Sequence, residues 1–316
     1  MRGFLVVDKP VGISSHHVVA IMRAVLGKPK IGHTGTLDPF ADGVLVLAIG
    51  TYTRLISFLP EKEKGYLATL RLGEQSKTGD TEGEIIARKI VPNHSKDAIQ
   101  HVLTSMKGAQ EQVPPQFSAV KHKGKPLYTY ARKGQVIELK PRPIHIYELE
   151  LQDRNQEEMI FSAVVSRGTY VRQLGEEIAN RLDTVGHLTS LRREKSGDFC
   201  IAQSITLDEV SWLTTGLRGW KETLSKEGKE KYTRCSPQEL WSKLQPKILS
   251  VEEVFASFPR SEVSQERANK IKNGLPPYTI PSDVEPDTLF WFCHQKTFLA
   301  LAKHDGENIR LLRVLN

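Results

Sequence analysis

"IGHTGTLDPFADGVLVLAIG", residues 31–50, sets one carboxylate, Asp38, in a turn of Gly, Thr and Pro and then runs into an unbroken apolar strand. The glycines and Pro39 permit a sharp turn that exposes the carboxylate at a strand's edge, and Asp before Pro is equally a common turn former. Asp38 is therefore either a turn residue or a reactive group, and the stretch alone leaves both readings open. Its second half, "VLVLAIG", residues 44–50, is expected to be a buried strand.

On the N-terminal side, "GFLVV" (3–7) predicts a short buried strand ended by Asp8, Lys9 and Pro10. "SSHHVVAIMRAVLG" (14–27) predicts a helix capped by Ser14 or Ser15 and stopped by Gly27, with Val18, Val19, Met22, Val25 and Leu26 at helical spacing. On the other side, "TRLISFLP" (53–60) suggests a short helix and "GYLATLRLG" (65–73) a strand, with "TGDTEGEIIARKI" (78–90) a turn and its return strand. "SKDAIQHVLTSMKG" (95–108) has the pattern of an amphipathic helix. "RPIHIYELELQ" (142–152) and "EMIFSAVVS" (158–166) suit antiparallel strands, and "TYVRQLGEEIANRL" (169–182) a helix that starts at the Gly168-Thr169 turn. The mixture predicts an α+β fold with a mixed, largely antiparallel sheet.

The chain has 316 residues, so one large domain with a smaller one, or two of similar size, is expected. From about 213 to 247 it turns polar and Lys-rich, which suits a solvated excursion or linker. Beyond about 257, "LFWFCH" (289–294), "FLALAKH" (298–304) and "IRLLRVL" (309–315) are strand candidates separated by turn signals, suggesting a small terminal β-barrel or sandwich.

The 44 Lys and Arg exceed the 37 Asp and Glu, giving a net charge of +7. That favours a polyanionic partner such as nucleic acid or a phosphorylated metabolite. Cys200, Cys235 and Cys293 are widely separated, so neither a disulfide framework nor a zinc site is expected. The sequence lacks a phosphate loop, a dinucleotide-binding glycine motif, a paired-histidine metal motif and a serine elbow. An enzyme with this sequence is expected to need neither nucleotide nor metal. The apolar run in "MRGFLVVDKP" is too short for a signal peptide and no segment suits a bilayer, so a cytoplasmic location is expected.

Three stretches bear on Asp38. In "SRGTYVR" (166–172) Tyr170 and Arg172 fall together where a strand meets a helix, and an Arg fork can orient a carboxylate, although most arginines form surface pairs. Tyr66 opens a strand and can stack on a base or simply join the core. In "PPQFSAVKHKGKPLYTYARKG" (114–134) Lys and Arg alternate with Phe117, Tyr128 and Tyr130, which suits either a phosphate backbone with unstacked bases or a solvated face over buried rings.

Taken in order, "DKPVGISS", "GHTGTLDPFADGVLVLAIG", "KGYLATLRLG", "TGDTEGE", "VPPQFSAVKHKGKPLYTYARKG", "SRGTYVRQLGEEI" and "LTSLRREKSG" resemble the TruB-type family of tRNA pseudouridine-55 synthases across roughly the first 200 residues. The resemblance implies the pseudouridine synthase fold in residues 1–250, and a small PUA-like β-barrel in 251–316, where "FPRSEVSQERANKIKNGLPP" is a weaker match. It implies isomerisation of a T-loop uridine by base flipping, with no cofactor, by a monomer that binds the T-arm of tRNA and needs no protein partner. It places the catalytic aspartate on Asp38, a target-contacting histidine on His33, the active-site tyrosine on Tyr66, the G-T-Y-[IV]-R pair on Tyr170 and Arg172, and a pocket leucine on Leu191. Phe117 stands where the family often has tyrosine, Gly65 where a larger polar residue is usual, and the Lys-rich stretch is longer than typical. The alternative is a non-catalytic tRNA chaperone in which Asp38 only shapes a turn.

Overall fold

A computed structural model describes residues 1–60, 62–215, 219–223, 236–275 and 284–315. Its centre is an 11-stranded mixed sheet. Along the main path, strands lie in the order 205–206, 3–9, 42–49, 186–196, 64–72, 158–165, 142–154 and 108–112. Most neighbours are antiparallel. Gly3–Lys9 pairs in parallel with Ile205–Thr206, and Asp42–Ile49 with Gly186–Ser196.

The apolar run after Asp38 is unbroken because both faces of its strand are covered. Leu45, Leu47 and Ile49 enter one hydrophobic cluster with the helices, while Val44, Val46 and Ala48 enter a second on the opposite face. Gly3–Lys9 divides in the same way, with Leu5 and Val7 on one side and Phe4 and Val6 on the other. A strand buried on both faces shows no polar alternation. The first helix spans Ser15–Val25, and Ser14 caps it by accepting a hydrogen bond from His17 N at 3.1 Å. Helices Lys96–Ser105 and Val171–Arg181 add their apolar faces to the first cluster.

The strand Gly186–Ser196 lies at the centre of the sheet, yet its "RREKS" end carries none of the alternation that marks a strand. Arg193 is tolerated there because Nε donates to Val44 O at 2.8 Å, while Nη1 and Nη2 donate to Thr36 O and Gly35 O at 3.3 and 3.1 Å. Gly43 faces this strand at φ +101, and a Cβ there would lie 2.2 Å from Arg193 O. The predicted helix at "TRLISFLP" is part of a 3-10 helix, Gly50–Phe58.

The C-terminal strands Arg260–Glu262, Leu289–His294, Thr297–His304 and Ile309–Val314 form a four-stranded sheet in that order. The expected barrel is not seen: among the described residues the first and last strands remain edges, and four strands are too few to close. One face packs under helix Gln265–Lys272, through Ala268 and Ile271 against Phe290, Phe292 and Ala300. The other carries Trp291, Phe298 and Leu301 onto Phe4, Val46 and Val254.

The Lys-rich excursion is only partly described. Pro237–Leu244 is a helix with a Ser236–Glu239 capping box, and Leu240 and Leu244 are buried in the first cluster, so this end is packed rather than a linker. Residues 216–218 and 224–235, including Cys235, lie outside the described residues. Cys200 and Cys293 are free thiols.

Candidate active site

The Asp38 turn is fastened from three directions. Ser15 Oγ accepts from Leu37 N at 2.8 Å and donates to Leu37 O at 3.1 Å. Gly12 N donates to Pro39 O at 2.7 Å, and Ala41 N closes the turn on Asp38 O at 3.1 Å. Lys9 is fully buried at the end of its strand, where Nζ donates to Ile13 O at 2.8 Å and Pro10 O at 2.9 Å, with Pro39 O at 3.5 Å. Burial holds its pKa down to about 8, against the pull of Asp42 and Asp38. The first strand, the first helix and the turn therefore form one unit that fixes where Asp38 points.

Arg172, the second residue of helix Val171–Arg181, lies beneath the carboxylate. Its Nε is 3.0 Å from Asp38 Oδ2, and Nη1 is 3.2 Å from Asp80 Oδ2. Nη1 also donates to Thr78 O at 2.7 Å and Nη2 to Phe117 O at 2.8 Å. Nε makes a charge contact, not an aligned hydrogen bond. Asp80 is held in turn, accepting from Thr78 Oγ1 at 2.5 Å and Glu82 N at 2.9 Å. The helix start is located by Gln112, whose side chain donates to Tyr170 O at 3.1 Å and accepts from Tyr170 N at 2.8 Å.

Asp38, Tyr66, Tyr170, Arg172 and Leu191 line one cavity of about 260 Å³, together with Lys64, Ser118 and Arg167. Tyr66 and Leu191 project from neighbouring strands, paired in the register Tyr66 with Arg193 and Ala68 with Leu191. His33 is not on that wall. It ends the short strand Ile31–His33, and its ring meets His16 edge to face at 5.1 Å. Burial holds the His33 pKa below its usual value, with help from His16 and Arg193. The cavity holds five of the six expected residues, and His33 stands beside it.

The side chain of Asp38 is 34% exposed to the cleft, against 4% for Arg172. The carboxylate sits at the floor of a recess, so lost solvation is the largest influence and raises its pKa; Arg172 opposes this, Asp80 adds to it, and Lys9 opposes it weakly. Burial likewise raises the Tyr170 hydroxyl. Asp80, Lys9 and Lys64 are the residues missed from the sequence. Asp80 was visible only as a turn residue in "TGDTEGE", because its partner Arg172 lies 92 positions away, and Lys9 only as the polar end of a strand, because its contact with the Asp38 turn, at Pro39 O, spans 30 positions. Among the described residues no group of three or more His, Cys, Asp or Glu side chains is placed to hold a metal ion. No helix among them is long and apolar enough to cross a membrane.

A fixed, partly desolvated carboxylate facing an aromatic and apolar pocket suits attack on, or charge stabilisation of, a flat ring held against it. The comparisons point the same way. A model of the TruB family pseudouridylate synthase N-terminal domain matches residues 23–171. The tRNA pseudouridine synthase B of Neisseria meningitidis serogroup A is 35% identical over 319 residues, spanning 100% of this chain and 95% of that protein. The enzyme of the same name from Hydrogenovibrio crunogenus is 45% identical over 208 residues, 66% of this chain and 69% of that one. Among solved structures, a chain of a Cbf5–Nop10–Gar1 complex superposes with a TM-score of 0.67 at 24% identity, over 99% of this chain and 84% of that one, which shows a shared fold. The chain belongs to the TruB family of pseudouridylate synthases.

Proposed function

We propose that this chain converts the uridine at position 55, in the T-loop of tRNA, to pseudouridine without a cofactor, and that Asp38 is the central group. The observation that carries the reading is a single fastened carboxylate at the floor of a cavity walled by Tyr66, Tyr170 and Leu191 and backed by Arg172. The names of the relatives, tRNA pseudouridine synthase B, support the substrate class.

The reaction is an isomerisation. The C1′–N1 bond breaks, the base turns, the C1′–C5 bond forms, C5 loses its proton and N1 gains one, so atoms and electrons balance without a donor. Asp38 serves as nucleophile or as counter-charge to an electron-poor sugar, and either role needs the ionised form. Arg172 orients it. The target lies inside a folded loop, so the uridine is flipped into the cavity, where Tyr66 stacks on it and receives the C5 proton while Tyr170 and Leu191 wall the pocket. His33, beside the cavity with His16, holds the rearranged RNA loop.

Residues 1–250 form the catalytic domain in this reading, and 251–316 a PUA-like RNA-binding domain. The enzyme acts in the cytoplasm as a monomer, without a protein partner.

The test is tritium release from an unmodified tRNA transcript labelled at uridine C5, with wild type and Asp38→Asn and no added cofactor. Release of about one equivalent per tRNA that disappears in the variant supports the reading. Tight binding without release by the wild type overturns it and leaves a tRNA chaperone.

A further inference from the structure

Lys64 lines both the catalytic cavity and a second, smaller one of about 50 Å³. It begins the strand that carries Tyr66, and its ammonium lies against the Asp38 turn: a Cβ on Gly35 would be 3.1 Å from Lys64 Nζ. Among the described residues, the two side chains that act on it electrostatically are cations, Arg193 and Arg167. Among the described residues its ammonium forms no ion pair and no hydrogen bond.

That placement is unfavourable in the free protein. Arg193 is itself buried and donates to the carbonyl oxygens of Val44, Thr36 and Gly35, with no ion pair among the described residues. Burial, then Arg193, then Arg167 hold the Lys64 pKa down to about 7. A partly buried cation among like charges is stabilised by an anion that enters from outside. Arg167 also lines a third recess of about 340 Å³, where His145 and Tyr147 lie ring to ring at 4.4 Å. Arg167 is thus common to the linings of all three recesses, and Lys64 to two of them.

We propose that Lys64 binds a phosphodiester flanking the flipped uridine, with Arg167 on the other side of the same phosphate. The ligand is the RNA backbone, and the contact positions the nucleotide over Asp38 without touching the reacting atoms. The inference rests on the uridine-isomerising reading above. A phosphate contact of this kind carries no sequence information and acts on affinity and register.

The test uses the full chain and a synthetic T-arm stem-loop RNA labelled at the target C5, in forms with single phosphates replaced by methylphosphonate. Lys64→Gln is expected to raise KM about tenfold, to lower kcat much less, and to flatten the dependence of log KM on log salt by about 0.7, the loss of one single-strand phosphate contact. A methylphosphonate at one of the two phosphates flanking the target uridine is expected to weaken wild type by a similar factor and to leave Lys64→Gln unaffected. Lys64→Met, which keeps the apolar stem, is a second variant should Lys64→Gln fold poorly.

An unchanged KM and salt slope in both variants overturns the proposal, as does a methylphosphonate penalty that is the same in variant and wild type at every position. Tritium release by the wild type keeps the two ideas apart. Absence of release from the all-phosphate RNA refutes the activity; release with no effect at Lys64 refutes only the phosphate contact.

Discussion

Asp38 and Arg172 meet at 3.0 Å across a boundary of exposure, the cation nearly sealed in protein and the anion open to the cleft. The guanidinium spends its remaining donors on Thr78 O, Phe117 O and Asp80, so it cannot swing to follow the carboxylate. The pair is a fixed platform beneath a group that must stay aligned with substrate.

Arg172→Lys keeps the charge and loses the planar fork. One ammonium cannot reach Thr78 O, Phe117 O, Asp38 and Asp80 together, so at least one buried acceptor is left open. The expected result is a fall in kcat of about 10²-fold and a loss of stability of about 1–3 kcal/mol. Steady-state kinetics and a urea midpoint measure both. A variant equal to wild type in each would remove Arg172 as the residue that orients Asp38.

Asp38 also makes a stability prediction. Its folded pKa is raised, chiefly by burial, above the ordinary value of 3.8. Between those two values the native state binds more protons than the unfolded chain, so stability falls as pH rises through that window. At neutral pH the wild type bears the whole cost of the charge. Asp38→Asn is therefore expected to melt at a higher temperature than wild type at pH 7, with the gap closing below about pH 4. A lower melting temperature at pH 7 would mean that attraction to Arg172 outweighs burial.

Asp80→Asn removes a negative charge that raises the Asp38 pKa. The acid limb of the kcat/KM profile is expected to move to lower pH. The same substitution breaks a buried pair and turns an amide donor toward Arg172 Nη1, costing about 3 kcal/mol. An acid limb that moves upward would show that Asp80 tunes Asp38 mainly through Arg172.

Most of the sheet was legible because its strands declare themselves by apolar content: 3–9, 42–49 and 158–165 lie where the sequence places them. The central strand 186–196 was not, because Arg192 and Arg193 are stabilised by partners far along the chain, Asp8 and Asp42 for the one and the backbone carbonyls of Val44 and Gly35 for the other. In the site, Asp38, Tyr66, Tyr170 and Arg172 stand out in the sequence with two readings each, which the resemblance decides between, and Leu191 is reached through the resemblance alone. Asp80 and Lys64 have meaning only in three dimensions: one is a second anion for Arg172, the other a cation with cations for neighbours.

Tyr66 separates stacking from proton transfer. Its ring is almost fully buried, while the residue lines the same cavity as Asp38. Tyr66→Phe keeps the ring and removes the hydroxyl, so KM and stability should change little. If the hydroxyl takes the C5 proton, turnover falls about 10²–10⁴-fold. Tritium release under single-turnover conditions reads that step directly. Full turnover in Tyr66→Phe would leave stacking as the role of this side chain.

Trp291 is fully buried in the C-terminal sheet, stacked on Phe298 at 4.7 Å and edge-on to Phe255 at 5.4 Å. Those rings share one cluster with Phe4, Val6, Val44 and Val46 from the back of the central sheet. The C-terminal sheet thus serves as the hydrophobic cover of the strand that follows Asp38, whatever it contributes to RNA binding. Trp291→Ala is expected to cost about 3–5 kcal/mol and to shift a single cooperative transition seen alike by far-ultraviolet circular dichroism and by the fluorescence of the remaining tryptophans. Two separate transitions, with the catalytic part keeping its wild-type midpoint, would show that the two sheets fold independently and that their shared cluster contributes little.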